Sequence, residues 1–599
     1  MLIFALSITV IGYNQSETEL KLDYEKYTLS NGMDVILHID RSDPIVALAV
    51  QYHVGSNREV KGRTGFAHLF EHMMFQKSEN VGEDQFFKLI QDAGGTLNGG
   101  TGNDATTYFE VVPKNALEKI IWMESDRMGF MINTVTKKSL TVQQNVVQNE
   151  KRQSVDNRPY GQTSYVIAKN LYPEGHPYSW TVIGDMEDLQ NATVEDVKAF
   201  HNKYYNPNNA TLVLAGDFDV KQAKNLIEKY FGEIPKGNYV ADPKPIPVKL
   251  DKTKKLYYED NFAKAPQFRM IWPTVEEFTD DSYPLAYLGQ LLSQGKKAPL
   301  YKVLEKEKKL SSSQNAYNSS QEIAGTFNIT VTANDNVSLK DVEAGIFEAL
   351  AMFDKDGFTD EDVERIKASQ ETDFYNGISS VLSKAFQLAT YNEYAGDPAY
   401  YKTDIDKMKA VTREDIIRVY EKYIKDKPYL ATSFVPKGRL DLVAEGSVKA
   451  DVKEENILQA TENKIEDSQE EKIPATPSLI DRTKIPADGP DPALNLPAVW
   501  QEKLSDGMGV YGIEQDELPL VQFNIVIKGG HYLDNPAKAG VAFLVSELMM
   551  EGTKNKTPLE LEEEIEKLGA SITMNTSNTD ISINVNTLAR NYDQTLALV

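Results

Sequence analysis

The 599-residue chain contains no cysteine. That removes disulfide frameworks, thiol nucleophiles, thiolate-held metals and lipid anchoring through an N-terminal Cys, so any metal must be held by His, Asp or Glu. Histidine is scarce too, with 7 in all, which makes two of them at ligand spacing informative. Positive charge is in deficit: 64 Lys and Arg against 89 Asp and Glu leave a formal net charge of -25. Such a chain repels phosphate backbones, and no nucleic-acid partner is expected. Long apolar runs are missing as well. The one continuous stretch, residues 2–12 (LIFALSITVIG), is too short to cross a bilayer, so no membrane span is predicted. It fits the hydrophobic part of a signal peptide within residues 1–20, although no Lys or Arg precedes it and a buried strand is the competing reading. The expectation is export, to the periplasm of a bacterium, with a cytoplasmic location left open.

What remains is ordinary globular composition, 41% hydrophobic and 26% charged, in a length that suits about three or four domains. The chain repeats itself. Leu29-Ser30-Asn31-Gly32-Met33 returns as Leu504-Ser505-Asp506-Gly507-Met508, an offset of 475 that Pro44 and Pro519, Gly55 and Gly530, Gly65 and Gly540, and Gly94 and Gly569 all keep. A fainter offset of 219 relates Thr193-Val194-Glu195-Asp196 to Thr412-Arg413-Glu414-Asp415, each reading as a Thr-capped helix start. These repeats imply two related domains, 21–240 and 241–440, and the opening of a third at 498–599. Between them, 441–497 loses apolar periodicity, becomes charged and then Pro-rich, and reads as a semi-rigid linker. Strands and helices mix without a strict β-α-β rhythm. The fold class expected is α+β, with repeated domains of mixed, largely antiparallel sheet and packed helices.

The sharpest local signal is His68-Leu69-Phe70-Glu71-His72. At about 100° per residue Phe66, Leu69, Phe70, Met73 and Met74 form an apolar stripe, and His68, Glu71 and His72 share the opposite side. Two histidines one turn apart can aim at one Zn²⁺, with Glu71 on the same face in reach of a water there. A tetrahedral catalytic zinc needs one further protein donor. Read on its own, Glu150 in Val146-Val147-Gln148-Asn149-Glu150 is either that donor or a surface partner of Lys151 or Arg152.

The order His-x-x-Glu-His marks the inverzincins, and the chain resembles the pitrilysin family of zinc metallopeptidases, which includes insulin-degrading enzyme and mitochondrial processing peptidase. Further matching segments are Gly94-Gly95-Thr96-Leu97-Asn98, Asp156-Asn157-Arg158-Pro159-Tyr160-Gly161 and Asn206-Pro207-Asn208-Asn209. The resemblance implies a clam-like pair of halves and one Zn²⁺ per chain, held by His68, His72 and Glu150. It implies Glu71 as the base that takes a proton from water, hydrolysing peptides or unfolded protein segments. It also implies that Asn98 contacts substrate near the scissile bond and that the strand near Tyr108 and Phe109 offers an edge to an extended peptide. The family often carries a second acid seven positions before Glu150, where this chain has Gln143. At the offset of 475 the three motif positions become Phe543, Ser546 and Glu547, so the third domain is expected to be catalytically degenerate. That copy stops at the counterpart of Glu124, inside an expected helix, so a missing C-terminal half or a partner subunit is expected to be needed for full activity. The competing function is a non-catalytic family member that binds peptides or serves assembly.

Overall fold

The computed structural model describes residues 22–453, 475–494 and 496–599. The signal-like segment 1–20 and residues 454–474 of the expected linker lie outside the described residues. The chain forms two compact units, Tyr24–Val363 with Ser380–Asn495, and Glu364–Ser379 with Leu496–Val599.

The larger unit is built on two six-stranded sheets of one design. The first consists of β1 (Tyr24–Thr28), β2 (Asp34–Ile39), β3 (Ile45–Tyr52), β4 (Thr96–Thr101), β5 (Thr106–Pro113) and β6 (Ala210–Gly216), in the order β1-β2-β6-β3-β5-β4. The second consists of β7 (Lys254–Asp260), β8 (Gln267–Thr274), β9 (Ser311–Ser320), β10 (Gly325–Ala333), β11 (Leu430–Pro436) and β12 (Val448–Lys449), in the order β12-β7-β11-β8-β10-β9. Only β2 with β6, and β7 with β11 and β12, run parallel; the other pairs are antiparallel, as the sequence suggests. The helices of the fainter repeat, Val194–Tyr204 and Arg413–Tyr423, both begin with a Thr capping box, Thr193 with Asp196 and Thr412 with Asp415.

Strands β3 and β6 read as continuous apolar runs because both faces of the sheet are covered. On one face Val46, Leu48, Val50, Leu212 and Leu214 join a core with Trp122 and Ile227 from the domain's own helices. On the other face the helix Val381–Tyr394 of domain two sets Ala385, Leu388 and Ala389 against Ile36, Ala47, Ala49, Val213 and Ala215. Small side chains on both sides let that helix lie close. Domain one reciprocates, its helix Thr163–Leu171 placing Val166 and Leu171 on Leu256, Ile271, Leu430 and Phe434. This exchange of helices joins the two sheets within the larger unit.

Two expected boundaries shift. Strand β12 falls inside the segment expected to be linker, so domain two continues past residue 440 to Lys449. Residues 475–494 are docked on domain one instead of forming a spacer. Their anchor is Arg482, 3% exposed, which pairs with Glu233 at 2.8 Å and lies 3.6 Å from Asp126. The guanidinium also donates to Ser125 Oγ (3.0 Å) and stacks 4.0 Å from the Phe130 ring centroid.

The smaller unit holds the third domain, with β13 (Trp500–Lys503) and β14 (Gly509–Gly512) as a hairpin and β15 (Leu520–Lys528), β16 (Ser571–Thr576) and β17 (Asp580–Leu588) in the order β15-β17-β16. The offset of 475 survives residue for residue: it carries β4 onto β16 and the start of the helix Phe66–Met74 onto that of Val541–Leu548. No counterpart of β6 is among the described residues, and the two small sheets stay separate. The helix Val541–Leu548 leaves Phe543, Leu544, Val545 and Leu548 exposed.

Candidate metal centre

The helix Phe66–Met74 carries the motif and starts at Gly65, which has φ +80° and offers no side-chain cap. A Cβ on Gly65 would stand 2.7 Å from the Ile183 carbonyl, so glycine is required there on both counts. The cap comes from outside the helix. The buried Glu59 carboxylate accepts the N–H of Gly65 (3.0 Å) and of Ala67 (2.8 Å), satisfying donors the first turn would leave orphaned. In the third domain Asp534 does the same for Gly540 (2.8 Å) and Ala542 (3.0 Å). Because the copy that lost the motif keeps this cap, the cap belongs to the fold and not to the chemistry.

The expected stripe of Phe66, Leu69, Phe70, Met73 and Met74 is buried. Beneath it Arg127 lies wholly in the core, paired with Glu124 at 3.0 Å and stacked 4.7 Å from the ring centroid of Tyr108. On the other side of the helix, His68 and His72 meet Glu150, which stands near the end of the helix Lys137–Lys151. Nε2 of His72 lies 3.3 Å from Nε2 of His68 and 3.1 Å from Glu150 Oε2, and the third side, His68 Nε2 to Glu150 Oε2, is 3.6 Å. Donors arranged tetrahedrally about 2.0–2.1 Å from a centre lie about 3.3–3.4 Å apart, so this triangle fits one divalent ion.

The electrostatics agree. Burial, helped by the neighbouring His72, lowers His68 to about 4 and keeps its imidazole neutral, as ligation requires. Glu150 is held below the usual carboxylate range, chiefly by its hydrogen bond with His72. Glu71 behaves oppositely: burial raises it, and the bond that Thr101 Oγ1 donates to its Oε2 (2.5 Å) opposes the rise. The two carboxylates are thus shifted in opposite directions.

The remaining expected residues separate. Asn98 is exposed on β4, the outermost strand, and its Oδ1 accepts the Gly99 N–H at 2.9 Å. Tyr108 and Phe109 lie on β5, which pairs with β3 on one side and β4 on the other, so their strand offers no free edge. Tyr108 is fully buried, and Phe109 packs edge-on against Phe386 with centroids 5.0 Å apart. Among the described residues, β4 is the edge strand on that side of the sheet, as β1 is on the other. His176 is held by packing contacts: Nε2 lies 3.1 Å from the Ile246 carbonyl and the ring stacks on Tyr172. Neither Thr101, 29 residues past His72, nor Glu59, nine residues before His68, carried a signal in the sequence.

Against known proteins, residues 34–172 and 513–599 match the family described as Insulinase (Peptidase family M16), and residues 191–370 match its Peptidase M16 inactive domain. The chain belongs to the peptidase M16 family. It is 28% identical over 409 residues to "Zinc protease PqqE" of Helicobacter pylori, spanning 67% of this chain and 90% of that one. A solved protease from Helicobacter pylori superposes with a TM-score of 0.64 at 27% identity, covering 69% of this chain and 100% of the other. The periplasmic protease PqqL from Escherichia coli shares the fold at 18% identity and a TM-score of 0.60, over 96% of this chain and 65% of PqqL. No described helix is long and apolar enough to cross a membrane.

Proposed function

We propose that the chain is a zinc-dependent endopeptidase acting on extended peptides or unfolded protein segments. The observation that carries this reading is the triangle of His68 Nε2, His72 Nε2 and Glu150 Oε2 beside the proton-competent Glu71. The inactive-domain match begins at residue 191, past all four residues, while the peptidase match spans them. Zinc suits a donor set of two imidazoles and one carboxylate with a fourth position open; bound there, it supplies Lewis acidity towards water and a peptide carbonyl.

The chain's own residues do the rest. Burial keeps His68 neutral and ready to donate its lone pair. Glu71 takes a proton from the attacking water on one oxygen while Thr101 holds the other, and returns that proton to the leaving amine. Strand β4 supports backbone pairing with an extended substrate along its open edge, with Asn98 exposed on it. The split sheets and exposed helix of the third domain support its completion by a further segment or subunit. The signal-like start and the periplasmic location of PqqL support export to the periplasm.

The test is metal analysis with and without chelator, followed by cleavage of an unstructured peptide. One zinc per chain and chelator-sensitive cleavage are expected; a chain that holds no zinc, or cleaves equally after its removal, refutes the reading.

A further inference from the structure

Strand β4 is poorly suited to hold itself straight. It is paired on one side only, and Gly99, Gly100 and Gly102 fall within its last residues and the turn that follows, which leaves little to restrain the backbone. The turn from β4 to β5 is nevertheless gripped from two directions.

From domain one, Ser56 N–H donates to the Gly102 carbonyl (3.2 Å), Asn57 N–H to the Asn103 carbonyl (2.8 Å) and Asn57 Nδ2 to Asp104 Oδ1 (2.9 Å). The approach is tight enough that a Cβ on Gly55 would stand 2.4 Å from the Asn103 carbonyl oxygen. From domain two comes the turn at the equivalent place in the second sheet, between β9 and β10, closed by Gln321 N–H to the Ala324 carbonyl at 3.1 Å as Gly102 N–H to Ala105 closes the first at 2.8 Å. The two tips interlock. Asn103 Nδ2 donates to Gln321 Oε1 (2.6 Å), and Glu322 N–H donates to Asp104 Oδ2 (3.2 Å). Tyr178 ties both, donating its hydroxyl to Asp104 Oδ1 (2.5 Å) and accepting the Ile323 N–H (3.2 Å). Beside them His53 bridges Glu322 (2.7 Å) and Glu393 (2.6 Å), both from domain two.

We infer that Asp104 and Gln321 are positioning residues for peptide cleavage: through this tip-to-tip contact domain two aligns β4, and with it the open edge. The inference rests on the peptidase reading for its kinetic consequence. Pre-ordering an edge that would otherwise have to be fixed on binding lowers the cost of binding an extended peptide, so the contact acts on KM before kcat.

Two variants separate the contact from the rest of the turn. Asp104→Asn keeps Oδ1 for Tyr178 and Asn57 but sets an NH₂ against the Glu322 N–H. Gln321→Ala removes only the acceptor for Asn103. With the zinc-loaded 599-residue chain and a fluorogenic unstructured peptide, each variant is expected to raise KM roughly three- to tenfold with kcat within about twofold, the size of one lost hydrogen bond. Zinc content should be unchanged. In the free protein, hydrogen exchange of the β4 amides should quicken while that of β1 and β2 does not. An unaltered KM with unaltered β4 exchange overturns the inference, as does a fall in kcat at constant KM. If the wild type cleaves no peptide, the peptidase reading has failed, and the exchange of β4 alone decides the coupling between tip and strand.

Discussion

Exchanging Glu71 for glutamine alters one atom and tests two assignments together. The amide can turn its oxygen to the Thr101 hydroxyl, which now bonds Oε2 at 2.5 Å, and so keep its place. Its NH₂ then faces the reacting water, where it cannot take a proton. A positioned general acid–base contributes about 10²- to 10⁴-fold, so kcat/KM should fall by that factor, about 2.7–5.4 kcal/mol of barrier. Metal content should stay level, because the donor atoms of His68, His72 and Glu150 are untouched. Stability supplies a second signal. Burial raises the Glu71 carboxyl above its unfolded value, so its charged form destabilises the metal-free fold at neutral pH, and the penalty vanishes once pH falls below the unfolded pKa. Metal-free Glu71→Gln should therefore melt above metal-free wild type at pH 7 and together with it in strong acid. Peptide assays, metal analysis and calorimetry on the two proteins decide the matter. Activity of the variant within about tenfold of wild type would refute Glu71 as the base.

His72→Ala removes the corner shared by the two shortest sides of the donor triangle, and bound zinc should be lost on dialysis, as measured by elemental analysis; retention at one per chain counts against the ligand set. Arg482→Ala leaves Glu233 and Asp126 without their buried cation and should destabilise the larger unit by about 3–5 kcal/mol in denaturant unfolding; a change below about 1 kcal/mol shows that 475–494 is not anchored there. For His53, burial alone would lower the imidazole, but its bonds to Glu322 and Glu393 win and hold it up to about 10 from 6.5. Its contribution to stability is thus full below pH 6.5 and is lost as pH rises through about 10, so His53→Gln should flatten the stability curve over that window; an unchanged slope contradicts the bridge.

Local spacing was enough to place half of the site. Two histidines four residues apart share a helix face whatever the helix packs on, and the apolar stripe opposite them decides which way that face turns. The register of the third domain was equally legible, since a repeat that keeps its glycines and prolines for some 65 residues keeps its strands and helices too. The cap on the site helix was not. Glu59 lies six residues before Gly65 in the chain and reaches it only because the intervening loop folds back.

The rest belongs to the tertiary structure. Glu150 is 78 positions beyond His72, and no periodicity links them; the packing of Lys137–Lys151 against Phe66–Met74 brings their donors to 3.1 Å, and only the family resemblance had named it. The β-branched and aromatic residues along 106–113 suggest a strand but cannot say whether it is central or at the edge, because sheet order depends on β3, some fifty residues earlier, pairing with β5 and leaving β4 outermost. Composition likewise made 441–497 a linker, since a segment held by polar anchors such as buried Arg482 and by one two-residue strand shows no apolar rhythm. What the sequence determined was set by contacts within a few residues, where geometry follows from spacing. What only the fold decided depended on which distant surfaces were left to bury one another.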